Sequence, residues 1–531
     1  MDGWKLHIDI LLDVLSVAEL KTMSQMVKTC RTLHREGGKA LLRSTDVELH
    51  TRLQIMSFLL FMHADTPGRF SSLRALRLQP RGSLPGPMEW DGTLLVGFFL
   101  ELAGRCSGLK SLLIEGGYTH TDEWLSEELA RAVSKLRSLT DLTLSLIHDI
   151  FWNPLRTAML SHLLRADLTI PAPVPMPPTQ VAIDLTHILE GSRDTLECIT
   201  LMGSSRHKIV TRGGLVYPRL KTLDLHGAWI PTTADYITSF PALKSLMVSD
   251  YRISRLSDEV YASVRGENKR YQRARGSWPY MHCFLGNTQH LYLLGLSCHV
   301  HQVYLNNITE DVSAAMLRAV LDDVRPVDLE LTSYANSNFL NSQWMEALCA
   351  PRSPRMTVLK IKIMLLSLTE EDSLEHAMVA IRAAVASLSL LGLRLYIERA
   401  GFTAETKGPG MYANIMDLEA IAQGFKDASP SLRSVLVELD CRSDRPYSMA
   451  WRGLAMTAAD YWVPTEDPDR VPLAHEHDPP QPLASISPAM PNPLSPLVMA
   501  LGPLSADLSR NYKPRPPVAS HRYCSCDMSR Y

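Results

Sequence analysis

A frame of the form Leu-x-x-Leu-x-Leu recurs along most of this chain and restricts its fold more than any other feature. Clear copies are Leu73-Leu76-Leu78, Leu109-Leu112-Ile114, Leu139-Leu142-Leu144, Leu196-Ile199-Leu201, Leu220-Leu223-Leu225, Leu243-Leu246-Val248 and Leu291-Leu294-Leu296. Weaker ones start at Val324, Met356, Leu390 and Leu432. The starts at 196, 220 and 243 differ by 24 and 23 residues, the length of a unit of one strand and one helix. Those at 291, 324, 356 and 390 differ by 33, 32 and 34, which leaves room for a longer helix. Alternate residues of a strand point to opposite faces, so the Leu positions face a core and the others an open surface. One unit cannot cover its own apolar face, and stacking supplies the cover.

The segments between frames read as helices. Thr121 before Asp122-Glu123 leads into Trp124, Leu125, Leu129, Ala132, Val133 and Leu136 at helical spacing. Thr309 before Glu310-Asp311 and Thr369 before Glu370-Glu371 begin similar runs. Strand, helix, strand without hairpin turns predicts an α/β fold with a parallel sheet, and the number of frames favours an irregular open solenoid over residues 68–440. The prolines at 171, 173, 175, 177 and 178 predict a stiff loop insertion. No frame is evident between 249 and 290, where Arg265, Lys269, Arg270, Arg273 and Arg275 lie among Tyr271, Trp278 and Tyr280; a solvated loop is favoured over a nucleic-acid patch because Glu267 dilutes the cluster.

Residues 4–44 form a different, purely helical module. Leu6, Ile8, Ile10, Leu11, Leu12, Val14, Leu15 and Val17 are apolar, and Asp9 and Asp13, four apart, share a solvated face. Leu20, Met23, Met26, Val27, Cys30 and Leu33 form a second apolar set, after which Gly37-Gly38 predicts a helix stop. So short a module cannot bury all this surface itself, so part of it should meet another polypeptide. Residues 464–531 hold 14 of the 34 prolines and few aromatics, the composition of a disordered tail.

The charge balance, 54 basic against 56 acidic residues, leaves a net −2 and no global attraction to nucleic acid or anionic lipid. Apolar runs such as 56–62 and 93–100 end well short of the roughly 18 residues that span a bilayer. With no basic leader after Met1, the expectation is a soluble cytoplasmic or nuclear protein without membrane contact. Nine scattered cysteines make no disulfide framework, and the sequon Asn307-Ile308-Thr309 is then a chance occurrence. Cys524 with Cys526, and His475-Glu476-His477-Asp478, offer half a metal site at best, so neither metal nor cofactor is expected. Phosphate-loop, dinucleotide, His-Glu-x-x-His and Gly-x-Ser-x-Gly motifs are lacking, and His148, His226 and His301 read as structural groups; an enzyme is not indicated.

On these residues, 6–43 resemble an F-box, and the chain is similar to fungal F-box proteins with degenerate leucine-rich repeats. The resemblance implies a non-enzymatic substrate receptor of an SCF-type cullin-RING ubiquitin ligase, its F-box on a Skp-type adaptor and its repeats on an unidentified protein substrate. By position, it implies adaptor docking through Leu6, Leu11, Leu12, Val14, Leu15, Leu20, Val27, Cys30 and Leu33. His7 stands where the family usually has Pro, and Ser16-Val17-Ala18-Glu19 shortens its first turn. The ninth repeat position holds Ile147, Ser204, Ala228, Tyr251 and His299, so the family's Asn ladder is missing. The alternative is a leucine-rich-repeat interaction scaffold without a ligase role, its opening helices serving as a cap.

Overall fold

The computed structural model describes residues 7–64, 66–79, 92–105, 108–116, 126–145, 162–170, 181–211, 214–230, 232–249, 257–306, 313–334, 342–349, 355–365, 371–399, 417–440 and 452–455. Two units divide the chain, Met1–Trp462 and Val463–Tyr531, and all described residues belong to the first. The proline insertion, the two metal half-sites, the sequon Asn307-Ile308-Thr309 and the tail beyond 463 lie outside them.

The opening helices are α1 (Ile8–Val17), α2 (Leu20–Met26) and α3 (Arg31–Ser44). Strands β1 (Asp46–Leu49), β2 (Ala75–Leu78), β3 (Ser111–Glu115), β4 (Asp141–Ser145), β5 (Arg165–Thr169), β6 (Val181–Asp184), β7 (Cys198–Val210), β8 (Thr222–Trp229) and β9 (Ser245–Ser249) follow, with helices between them that include α4 (Arg52–His63), α5 (Thr66–Phe70), α6 (Thr93–Arg105), α7 (Glu127–Ser134), α8 (Leu185–Ile188) and α9 (Ala234–Ser239). The second half alternates α10 (Asp258–Arg275), β10 (Met281–Gly286), α11 (Thr288–Leu294), β11 (Val300–Asn306), α12 (Ala314–Val324), β12 (Asp328–Tyr334), α13 (Ser342–Leu348), β13 (Val358–Leu365), α14 (Glu371–Ser387), β14 (Gly392–Arg399), α15 (Leu418–Ala428), β15 (Ser434–Asp440) and β16 (Arg452–Ala455).

All sixteen strands join one open sheet whose order follows the chain, except that β6 pairs only with β7 beside the main path. Pairing is parallel throughout until β16, which closes the described edge antiparallel to β15. Sequence-ordered parallel strands need a crossover at every step, and helices supply most of them among the described residues, though none is described between β7 and β8. This is a solenoid-like α/β architecture, with Leu76, Leu112, Leu142, Ile199, Leu223, Leu246, Leu329, Leu359 and Leu393 in one buried row of a continuous core.

The frames fall on strands at every copy but two. The one at Val324 is out of register by two residues: Val324 ends α12, Val327 precedes β12, and Leu329 pairs with Leu359. The other is the copy at Leu291. Leu291 and Leu294 belong to α11, where Asn287 caps the first turn and Gly295 leaves in the left-handed region at φ 53°. A Leu-x-x-Leu spacing also fits one face of a helix turn, which is why that copy misled. Its unit's strands are β10 and β11, which present Phe284, Val303 and Leu305 to the core instead of leucines.

The segment read as a solvated basic loop contains α10 instead. Arg265, Asn268 and Gln272 form a buried polar stripe along its inner face. Arg265 donates to the carbonyls of Tyr292 and Ala319 and to Asp323; Asn268 Nδ2 donates to Leu293 O, and Gln272 Nε2 to the carbonyls of Leu294 and Gly295. These side chains satisfy the orphan carbonyls at the end of α11. Arg270, Arg273 and Arg275 remain exposed, and Arg270 is within 4.0 Å of Glu267.

Nor does Gly37-Gly38 stop α3, which runs through both glycines while they are buried. Their role is close approach: a β-carbon at Gly37 would lie 2.1 Å from Val27 Cγ1 and 3.2 Å from Leu15 Cδ2, and one at Gly38 3.1 Å from Phe61 Cζ. Gly37→Ala should therefore cost about 1–3 kcal/mol in crowding, set against roughly 0.8–1 kcal/mol of improved helix propensity. In a double-mutant cycle with Val27→Ala, denaturation should show coupling of about 1–2 kcal/mol. Additive effects would mean that the glycine is not there for Val27.

His290 in α11 is enclosed, and neither ring nitrogen has a hydrogen-bond partner among the described residues. Burial lowers its pKa from the usual 6.5 to about 3. The unfolded chain therefore binds the extra proton, so stability falls as pH drops from about 6.5 toward 3, by at most about 1.4 kcal/mol per pH unit. His290→Phe should flatten that limb in pH-dependent denaturation, and an unchanged limb would assign the acid loss to other groups.

Candidate functional site

Two surfaces qualify, and the first is the outer face of α1. The opening module has its own small core of Leu15, Met23 and Leu33, closed by the glycine contact between α1 and α3. These three side chains are not part of the continuous core of the sheet, whereas Leu42 at the far end of α3 is. α1 is held from behind, leaving Ile10 (52%), Val14 (44%) and Val17 (83%) exposed. Spacings of four and three place them on one stripe.

Of the residues assigned to docking by resemblance, Leu15 and Leu33 lie inside the module and hold its helices together. Val14 is exposed, and Leu11, Leu12 and Val27 are half-buried. Cys30 is exposed, its Sγ accepting from Leu33 N at 3.5 Å as the cap of α3. Leu6 and the side chain of Leu20 lie outside the described residues. Ile10 and Val17, apolar in sequence, gain importance only from the packing, because periodicity alone does not say which side of a short helix its neighbours cover. α4 carries a second exposed pair, Leu53 and Leu60.

The second surface is the sheet face opposite the Leu rows. Across β5 to β9 it carries Asp167, Thr200, Asp224 and Met247 in one register row and Met202, His226 and Ser249 in the next. His226 Nε2 lies 2.9 Å from Asp224 Oδ1, and its Nδ1 lies 2.6 Å from Ser249 Oγ. Burial raises the pKa of Asp224, with His226 opposing the rise. For Asp167, burial and the Asp224 charge raise it, with His226 opposing. Across β11 to β14 the face carries Tyr304, Glu330, Lys360 and Arg394, with Lys362 and Tyr396 beside them. Lys360 reaches Asp328 at 2.7 Å and Lys362 reaches Glu398 at 2.5 Å. Among the described residues no three His, Cys, Asp or Glu side chains are placed to hold a metal ion, and no helix is long and apolar enough to cross a membrane.

Fold and surfaces define an α/β protein with an open, sequence-ordered parallel sheet, a small helical module at its start and a broad polar face. No protein-family model matches the chain, and no curated protein does.

Proposed function

We propose that this chain is an F-box-type substrate receptor of an SCF-type cullin-RING ubiquitin ligase, in which α1–α3 dock on a Skp-type adaptor and the open sheet face holds a protein substrate. The carrying observation is the stripe of Ile10, Val14 and Val17 on a helix whose opposite side is already packed. Apolar side chains aligned on one helix face mark a place for another chain more than single exposed residues do. Full burial of each is worth about 1.5–3 kcal/mol, and neighbouring half-buried Leu11 and Leu12 extend the patch. The receptor would bind and present, in the cytoplasm or nucleus, while other subunits carry out the transfer.

One observation favours the second reading, a repeat scaffold whose first helices only cap the sheet: Leu42 joins the continuous core and Gly38 sits against Phe61 of α4. The two differ in one measurement. Purified full-length chain mixed with a Skp-type adaptor forms a complex on size exclusion if it is a receptor; two separate peaks at tens of micromolar leave the cap reading.

A further inference from the structure

One register row on the open face crosses the sheet without a break: Asp167 on β5, Thr200 on β7, Asp224 on β8, Met247 on β9, Leu285 on β10, Tyr304 on β11, Glu330 on β12, Lys360 on β13 and Arg394 on β14. Its chemistry comes in three blocks. Two carboxylates flank Thr200. Asp167 has no hydrogen bond or ion pair among the described residues, and Asp224 has only the His226 contact, so both anions are poorly compensated where they stand. Burial raises both pKa values, and His226 is the one group that opposes the rise at either carboxylate. Met247, Leu285 and Tyr304, all half-buried, then make an apolar strip on three successive strands, with exposed Met202 one row away. Farther on, Glu330 is half-buried, which raises its pKa, with the charges of Lys360, Lys362 and Arg394 opposing the rise; Lys360 is committed to Asp328, whereas Arg394 is exposed and forms no ion pair among the described residues.

Strands about 4.8 Å apart put the middle of the apolar strip three steps, roughly 14 Å, from Thr200, and Arg394 seven steps, roughly 34 Å, away. An extended chain rises about 3.3 Å per residue, so these distances are about four and about ten residues. We propose that this face binds an extended protein segment lying across the strands, with a Lys or Arg side chain between Asp167 and Asp224, an apolar residue about four positions away, and a carboxylate about ten positions from the cation on Arg394. The inference rests on the reading of this face as the substrate surface and adds the character of the substrate: a mixed-charge segment, basic at one end and acidic at the other.

The test pans a displayed library of random 14-residue peptides on the full-length chain, with size exclusion against the Skp-type adaptor run on the same preparations. Expected are selected peptides that pair Lys or Arg with Asp or Glu about ten residues apart and an apolar residue between them. Asp167→Asn with Asp224→Asn should erase the basic preference and weaken a selected peptide at least tenfold, keeping the acidic one. Arg394→Glu should do the reverse. Both variants replace half-buried or exposed groups, so their unfolding midpoints should stay close to the parent's. Absence of enrichment, the same preferences in both variants, or enrichment that a chelator abolishes would each overturn the inference. Failed panning with an intact adaptor complex sinks this inference alone; successful panning without the complex sinks the ligase reading instead.

Discussion

Ile10→Asp combined with Val14→Asp should lower adaptor affinity by roughly a thousandfold or more while leaving the sheet folded. Docking can bury only the roughly half of each side chain still exposed, so each substitution removes about 0.7–1.5 kcal/mol of apolar burial and adds a carboxylate whose desolvation costs a further ~1–3 kcal/mol. Even about 4 kcal/mol in total is close to three factors of ten. In the free chain both positions are exposed, so the same substitutions there should stay near the ±0.5 kcal/mol typical of surface changes. Titrating immobilised adaptor with parent and variant gives the ratio, and thermal unfolding of each checks the fold. A loss below fivefold would place the adaptor elsewhere or remove it. Leu15→Asp is the instructive contrast: at 1% exposure Leu15 packs from α1 against Gly37 of α3, and charging it should break the module itself, losing capture for a reason unrelated to docking.

The parallel sheet was legible because the same side-chain pattern repeats where the same environment repeats. β2, β3, β4, β8 and β9 each bury Leu, Ile or Val at two alternate positions, and the leucine frames mark them directly. β1 escaped because Asp46-Val-Glu-Leu49 is too short to show a frame, and β10 because Phe284 and Gly286 fill its inward positions. Gly286 has a packing cause, since a β-carbon there would lie 2.7 Å from Val248 O. The glycines of α3 and the arginine cluster of α10 were misread for one reason: their roles depend on partners distant in sequence. Gly37 answers to Val27 and Leu15, and Arg265 to Asp323 at a separation of 58 residues. Local rules treat glycine as a helix end and arginine as solvated, and tertiary contact overrides both. The exposed stripe of α1 was half-legible, its helix evident and its outward side not.

The interior of α10 yields the largest stability effect. Arg265 and Asp323 are each about nine-tenths buried at the side chain, and Lys269 reaches the other carboxylate oxygen at 2.6 Å. Asp323→Ala therefore leaves a guanidinium with the carbonyls of Tyr292 and Ala319 and the Tyr292 ring but no anion, and with a second cation beside it. Removing one partner of a buried pair typically costs about 3–5 kcal/mol. Because each unit of such an array rests on its neighbours, the loss should appear first as faster amide exchange in α10, α11 and β10, ahead of distant β2 and β3. Arg265→Met with Asp323→Leu removes both charges while keeping apolar volume, and should recover most of the loss, since buried ion pairs replaced by packed apolar groups are often neutral or better. If the double variant were as unstable as Asp323→Ala, the hydrogen bonds from Arg265 to α11 and α12, and not charge compensation, would be what holds these helices together. Gln272→Leu then becomes the deciding variant: it carries no charge, yet its amide serves the carbonyls of Leu294 and Gly295, so a cost of about 1–3 kcal/mol there would assign the stability of this segment to carbonyl capping.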